Sequence, residues 1–228
     1  MTRFWTVLVA TTIPFYLWSA LTDGTVTVGG ADLPVSALMF VCPALAALAA
    51  RGGSAGRAMC SRPRPVWVLL AAVLPAALTL VSSLLVAGGD APAVPASLVP
   101  VAGVYLVAAF CEEVGWTAVL LPALLRRHGV VATGTIIGLV WAVWHLIPYL
   151  QAGYTPVMLA GQLAFTVVFR ILLVQMTIAA GLAPMIAVLG HASYNVAWTV
   201  LAAEDLYAPV TAAVATGLAA MVLGRRLP

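Results

Sequence analysis

The chain has 228 residues, of which 64% are hydrophobic and 7% are charged, and its formal net charge is +3 at pH 7. Soluble domains are about 45–50% apolar, so the composition excludes an ordinary soluble domain and indicates a polytopic membrane protein. The basic residues form no patch interleaved with aromatic residues, as a nucleic-acid surface would need. We therefore expect contacts with membrane lipids and no nucleic-acid partner.

The apolar segments predict about eight transmembrane helices within a single domain that covers residues 1–228. A helix needs about 20 residues to cross a bilayer, and charged or Gly/Pro-rich breaks separate the segments. The predicted spans lie near residues 4–22, 34–50, 66–87, 98–122, 131–149, 155–176, 182–203 and 208–224. The predicted fold class is therefore all-α.

Charged residues between the spans predict the orientation of the chain, because arginines near span ends are retained on the cytoplasmic side. If both termini are cytoplasmic, the arginines at positions 3, 51, 57, 62, 64, 126, 127, 225 and 226 all fall on the cytoplasmic face. The acidic residues outside the spans then fall on the opposite face, namely Asp23, Asp32, Asp90, Glu204 and Asp205. The absence of lysine and the abundance of alanine suggest a bacterial source, and hence the bacterial inner membrane.

The fourth predicted span contains two adjacent glutamates, Glu112 and Glu113. Ionisable residues at membrane depth are costly and are functional-site candidates by default. Neighbouring residues on a helix point roughly 100° apart, so the two carboxylates should do different jobs. One of them can act as a general base if a neighbouring group stabilises its charge. Trp116 and Thr117, in the next turn, are candidate supporting residues.

The fifth predicted span brings a histidine, His145, which could stabilise a carboxylate or share a water or metal ion with it. Trp141, one turn earlier, is either a supporting residue or an interfacial anchor. Gly134 and Gly138 have the small-xxx-small spacing that lets two helices approach closely in lipid.

The sixth and seventh predicted spans carry the remaining polar candidates. Arg170 is the only other charged residue within a span, and we expect it to form an ion pair with Glu113. His191 and Asn195 are four residues apart and therefore share one helix face. Uncharged imidazole and amide groups can donate hydrogen bonds to an oxyanion.

A metal site is the alternative interpretation of the same residues. Glu112, His145 and His191 form a two-histidine, one-carboxylate set that could hold zinc with an open position for water. The spacing of these residues does not choose between the metal site and the oxyanion site.

The sequence that begins at Glu112 and Glu113 resembles a motif of the CAAX-protease and bacteriocin-processing (CPBP, or Abi) family of intramembrane proteases. This family includes Rce1-like prenyl-protein peptidases. That family motif is Glu-Glu-x-x-x-Arg, often with Leu-Pro after it, and the sequence from Glu112 to Pro122 matches it except at the arginine. Thr117 stands at the arginine position. The substitution leaves Glu113 without its family partner, and Arg170 could compensate for the loss.

Two further motifs support the same resemblance. The family motif aromatic-x-x-x-His is met by Trp141 and His145, and the motif His-x-x-x-Asn is met by His191 and Asn195. The resemblance covers about residues 98–200, the motif-bearing core.

The resemblance implies an Rce1-like bundle of eight helices around a conical intramembrane cavity. It also implies that Glu112 and His145 activate a water molecule while His191 and Asn195 stabilise the oxyanion. In the metalloprotease description of the family, His191 instead helps to hold zinc. Glu113 then has a supporting role.

The predicted function is that of an intramembrane endopeptidase, which hydrolyses a peptide bond near the cytoplasmic side in a peptide or lipidated protein. The threonine at the arginine position motivates an alternative, a member without protease activity. Such a protein could act on an isoprenoid or another lipophilic metabolite, or serve as a bacteriocin immunity protein. A third class, an ion or proton transporter, also has buried glutamate and histidine residues.

Overall fold

The computed structural model describes residues 1–28, 31–88, 92–94 and 96–226, and the predicted external residue Asp90 lies outside this part of the chain. The described residues form a helical bundle with one short hairpin, which confirms the all-α fold class. The helices are α1 (Thr2–Thr22), α2 (Cys42–Arg51), α3 (Gly53–Met59), α4 (Pro65–Ala87), α5 (Leu98–Gly115), α6 (Leu121–Leu125), α7 (Val130–Gln151), α8 (Pro156–Ala179), α9 (Pro184–Ala202) and α10 (Pro209–Gly224).

Six of the described helices are long and apolar enough to cross a membrane by length and composition. A seventh span is possible in the second predicted segment, where Val35–Arg51 and Gly53–Met59 meet at a bend of 117°. Gly52 lies at this bend with a φ of 53°, a conformation that favours glycine. The eighth predicted span is α10, whose 16 residues fall short of the ~20 that a full crossing needs.

The sequence did not predict the hairpin that follows α1. In it, β1 (Thr25–Val28) pairs antiparallel with β2 (Ala31–Pro34). The Thr-Val-Thr-Val sequence of β1 is entirely β-branched, which favours an extended strand. The Thr27 hydroxyl also donates a hydrogen bond to the Asp32 carboxylate at 2.7 Å. The 3₁₀ segment Val35–Val41 connects the hairpin to α2.

Helices α7 and α8 approach closely at two glycines. A Cβ on Gly134 would lie 2.8 Å from Cα of Ile171, and a Cβ on Gly138 would lie 2.9 Å from Cα of Val167. Real Cβ atoms do not approach so closely, so glycine is required at both positions. The close approach predicted from the small-xxx-small spacing is therefore present.

The helix that carries the two glutamates changes its winding directly after them. A π-helical turn, Trp116–Leu120, separates α5 from α6. Pro122 has no N–H to donate back into the preceding turn, and its ring crowds that turn; the wider turn accommodates it. A Cβ on Gly115 would lie 2.7 Å from the carbonyl oxygen of Pro43, so α2 packs directly against this point. Such π-helical turns occur frequently at functional sites.

Candidate functional site

A cavity of about 720 Å³ lies between the hairpin and helices α5, α7, α8 and α9. Glu112, His145, His191 and Asn195 all line it. The fold therefore brings one residue from α5, one from α7 and two from α9 to a single internal surface. These helices are separated along the chain, so only their packing creates this grouping.

Two tryptophans hold the Glu112 carboxylate. The indole Nε1 of Trp141 donates to Glu112 Oε2 at 2.8 Å, and the indole Nε1 of Trp116 approaches the same oxygen at 3.4 Å. Trp116 is 0% exposed and Trp141 is 3% exposed, so both side chains lie inside the bundle, and Trp141 does not lie at the surface as an interfacial anchor would. Within the described part of the chain, no side chain or backbone group donates a hydrogen bond to the other carboxylate oxygen, Oε1.

Glu113 lies behind the cavity and is 0% exposed. Arg170 makes a bidentate ion pair with it, from Nη1 to Oε2 at 2.7 Å and from Nη2 to Oε1 at 2.9 Å. The Thr117 hydroxyl donates to Oε2 at 2.5 Å. Glu113 was a candidate catalytic residue, but it does not line the cavity; the structure places it among groups that neutralise and orient it.

Trp141 lies between the Glu112 carboxylate and the ion pair of Glu113 with Arg170. Its ring face lies under the guanidinium of Arg170, whose Cζ is 4.0 Å from the ring centroid. Its indole nitrogen holds Glu112. One side chain therefore contacts both the residue that neutralises Glu113 and the carboxylate that faces the cavity. A guanidinium over an indole face also gains a cation–π attraction.

Glu113 fixes the orientation of His191. The Nδ1 atom of His191 lies 3.1 Å from Glu113 Oε1, and a carboxylate oxygen can only accept, so Nδ1 carries a hydrogen. In neutral His191 the other ring nitrogen, Nε2, then holds a lone pair. His191 can donate from Nε2 only as an imidazolium.

His145 also has its Nδ1 hydrogen-bonded to an acceptor, here a backbone carbonyl oxygen. Its Nδ1 lies 3.0 Å from the backbone carbonyl oxygen of Trp141, so Nδ1 again carries the hydrogen and Nε2 is free to accept. The ring packs edge-on against Trp144, with centroids 4.7 Å apart, and stacks on Tyr149 at 5.6 Å. These rings limit the rotation of the imidazole.

Sequence reasoning missed a polar network at the wall of the cavity. Gln162 of α8 donates to the hydroxyls of Tyr149 and Tyr194 at 3.2 Å and 3.1 Å. Tyr207, between α9 and α10, donates to Gln162 Oε1 at 2.6 Å. Burial raises the pKa of Tyr207, so its hydroxyl keeps the proton that it donates. A glutamine within an apolar span was the sequence signal that could have revealed this network.

The cavity extends toward the acidic end of the bundle. On α5 its lining continues from Glu112 back to Val104, and on α9 it continues from His191 forward to Ala202. It reaches Asp32 in the hairpin and Asp205 after α9. The arginines of the connecting segments belong to the other end. The cavity therefore extends away from the end that carries the arginines, and cleavage near the cytoplasmic side stays a prediction from the sequence.

The described part of the chain contains no cluster of side chains that could serve as zinc ligands. Among the described residues, no three histidine, cysteine, aspartate or glutamate side chains are grouped so that they could hold a metal ion. Glu112, His145 and His191 share the cavity without meeting as a ligand set. We therefore derive no reaction step through zinc.

The comparison with protein families agrees with the motifs. Residues 94–197 match the family model described as type II CAAX prenyl endopeptidase Rce1-like. The matched segment contains Glu112, Glu113, His145, His191 and Asn195. No curated protein matches the chain.

Proposed function

Because residues 94–197 belong to the Rce1-like family, we propose that this protein is an intramembrane peptidase that cleaves a peptide bond with water activated by Glu112 and His145. The single observation that carries the proposal is the cavity itself. A carboxylate, two imidazoles and a carboxamide line one internal space within an apolar helical bundle. These groups supply the two things that an enzyme contributes to amide hydrolysis, a base for the water and a hydrogen-bond donor for the oxyanion.

In the proposed reaction, the Glu112 carboxylate accepts a proton from water while the water oxygen attacks the scissile carbonyl carbon. The C–N bond then breaks, and the protonated Glu112 returns the proton to the departing amine. The indole N–H groups of Trp141 and Trp116 stabilise the carboxylate form that begins the cycle. His145 Nε2 accepts a hydrogen bond from the same water and thereby orients it.

Asn195 is the proposed donor to the oxyanion, because its carboxamide N–H groups carry hydrogens at any pH. Neutral His191 presents a lone pair from Nε2, so it can join Asn195 as a donor only in the imidazolium form. The Glu113 carboxylate accepts from Nδ1 and thereby fixes the orientation of the ring.

Glu113, Arg170 and Thr117 are positioning residues in this proposal. Arg170 supplies the positive charge that the family motif places four residues after the second glutamate. The threonine at the motif position supplies a hydroxyl donor to the same carboxylate. This replacement weakens the main argument for a protein that has lost protease activity, because the second glutamate keeps an arginine partner.

The alternative function keeps one supporting observation, since the cavity wall is largely aromatic and apolar and would also suit an isoprenoid or another lipophilic metabolite. Product analysis distinguishes the two functions. A peptidase releases a new amino terminus from a peptide substrate, whereas an enzyme of lipophilic metabolites leaves peptides intact.

The test of the proposed function is the Glu112→Gln variant, assayed for cleavage of membrane-inserted peptides in proteoliposomes. The amide cannot accept the proton of water, so turnover should be lost while the thermal stability stays close to that of the wild type. The matched control is Asp23→Asn, the same chemical change at an exposed residue that ends α1. Retained cleavage by Glu112→Gln would exclude the mechanism.

A further inference from the structure

We propose that the cavity opens to the non-cytoplasmic side of the membrane and accepts, from that side, a mainly apolar peptide segment with a cationic end. The peptide nature of the ligand rests on the proposed function. The side of access does not, because it follows from the geometry of the cavity and from the distribution of charge along the chain.

We place the mouth of the cavity at the hairpin and at the connection after α9, because exposed residues of both segments line the cavity. Leu33 and Pro34 of β2 line it, together with Ala203 and Asp205. Asp32 and Asp205 are both exposed. On α7 the lining runs from His145 toward the end of the helix, which is the same direction. A ligand would therefore enter past these two aspartates.

The opposite end of the bundle carries the arginines. Arg126 and Arg127 follow α6 and are exposed, and the linkers around α3 and the end of α10 add further arginines. Arginines near span ends are retained in the cytoplasm. The reverse orientation would require all of these residues to be translocated, so the mouth with its aspartates faces the non-cytoplasmic side.

The charges of the cavity wall favour a cationic ligand. Among the described residues that line the cavity, the charged side chains other than histidine are all acidic, namely Asp32, Glu112 and Asp205. Arg170 is 0% exposed and committed to Glu113. A carboxylate on the ligand would find no positive side chain at this wall, whereas an amino group would be attracted to it. Attraction of this kind strengthens where water is scarce.

Aromatic residues along the route suit the apolar part of such a ligand. Phe40, Tyr154 and Trp198 also line the cavity. Aromatic faces bind both apolar side chains and cations. The mouth thus combines negative charge with aromatic surface, a combination that does not favour a free carboxyl terminus.

Cysteine labelling tests the side of access and needs no catalytic activity. One protein carries Ala203→Cys at the mouth together with Cys42→Ala, Cys60→Ser and Cys111→Ala. The matched protein lacks Cys42 and Cys111 but keeps the native Cys60, which is exposed in the arginine-rich linker. Both are treated with a membrane-impermeant maleimide in intact spheroplasts and after permeabilisation, and size-exclusion chromatography checks that each is folded.

We expect the Ala203→Cys variant to be labelled in intact spheroplasts and Cys60 to be labelled only after permeabilisation. The reverse pattern would overturn the proposed side of access. Labelling of Cys60 in intact spheroplasts would also overturn the proposed side of access, whether or not the Ala203→Cys variant is labelled.

Binding of two fluorescent peptides tests the charge preference. They share one apolar sequence, and one has a free amino terminus and an amidated carboxyl terminus while the other has an acetylated amino terminus and a free carboxylate. Fluorescence anisotropy is measured with full-length Glu112→Gln protein in detergent, so that neither peptide is cleaved. The comparison is then repeated after adding Asp32→Asn and Asp205→Asn, of which the second keeps a residue that tolerates the positive φ at that position.

The cationic peptide should bind more tightly, and the asparagine substitutions should reduce its advantage by up to about fivefold each. Equal binding of the two peptides, or tighter binding of the carboxylate, would overturn the charge preference. If neither peptide binds, the peptide ligand fails together with the proposed function, and the labelling result alone still decides the side of access.

Discussion

Arg170 of α8 makes a bidentate ion pair with Glu113 of α5, a residue 57 positions earlier in the sequence. Both side chains are 0% exposed. A buried carboxylate without a partner would be very costly in an apolar bundle. The ion pair with Arg170 therefore allows the Glu113 carboxylate to be buried. The threonine four residues after Glu113 cannot supply the charge, because a hydroxyl is neutral.

Replacing Arg170 with methionine should destabilise the protein by about 3–5 kcal/mol, because it leaves Glu113 buried and unpaired. The double variant Glu113→Gln/Arg170→Met should be more stable than Arg170→Met, since no unpaired charge remains. Thermal unfolding in detergent measures both. Equal stability of the single and double variants would show that the ion pair does not govern this site.

Moving the arginine back to the motif position is a second test of the same pair. The variant Thr117→Arg/Arg170→Thr should recover much of the stability and activity that Arg170→Thr alone loses, because the new guanidinium lies one helical turn from Glu113. Thr117→Arg alone should destabilise the protein, since it adds a second buried cation. No recovery in the double variant would argue against an exchangeable role.

Trp141→Phe should lower kcat/KM for peptide cleavage by roughly 10- to 100-fold, the value of a charge-assisted hydrogen bond of about 1.5–3 kcal/mol. The variant removes the indole N–H that Glu112 accepts at 2.8 Å but keeps an aromatic face for Arg170. Trp116→Phe is the matched control, because its N–H lies at 3.4 Å and should matter less. An equal loss in both variants would point to packing and not to the hydrogen bond.

Gly138→Ala should destabilise the protein by about 1–3 kcal/mol, the usual cost of overpacking. The added methyl group would lie 2.9 Å from Cα of Val167, and backbone atoms cannot move aside cheaply. Gly103→Ala is the control, because a Cβ at that helical position meets no atom within 4 Å and alanine has the higher helix propensity. Thermal unfolding of the two variants should therefore shift in opposite directions.

Metal analysis tests the remaining alternative for the site. We expect purified wild-type protein to contain no more zinc than His145→Ala, because the candidate ligands are not grouped as a metal site in the described chain. Inductively coupled plasma mass spectrometry of both proteins measures this. Near-stoichiometric zinc in the wild type that is lost in the variant would instead establish a metal site and require a different mechanism.

The polar residues of the site could be found from the sequence because polar groups are conspicuous in apolar spans. Glu112, His145, His191 and Asn195 stand out for this reason, and their spacing within each helix followed from helical geometry alone. The close approach of α7 and α8 was similarly visible in the spacing of Gly134 and Gly138. These features depend on one helix at a time.

Which side chains meet across helices was decided by the tertiary structure. The two glutamates are adjacent in sequence, yet Glu112 faces the cavity while Glu113 turns toward Arg170, a division that depends on the placement of α8. The tyrosines that surround Gln162 come from three separate segments, and no local pattern joins them. The direction in which the cavity opens likewise depends on which helix ends lie together.

The chain's composition and helical periodicity therefore determined by themselves an apolar, all-α bundle with a small set of polar candidates, because burial in lipid constrains each span independently. The tertiary structure alone decided that Trp141 links the two glutamates and that the cavity opens at the acidic end. Such contacts arise between residues distant in sequence, and only the packing of the complete bundle fixes their distances.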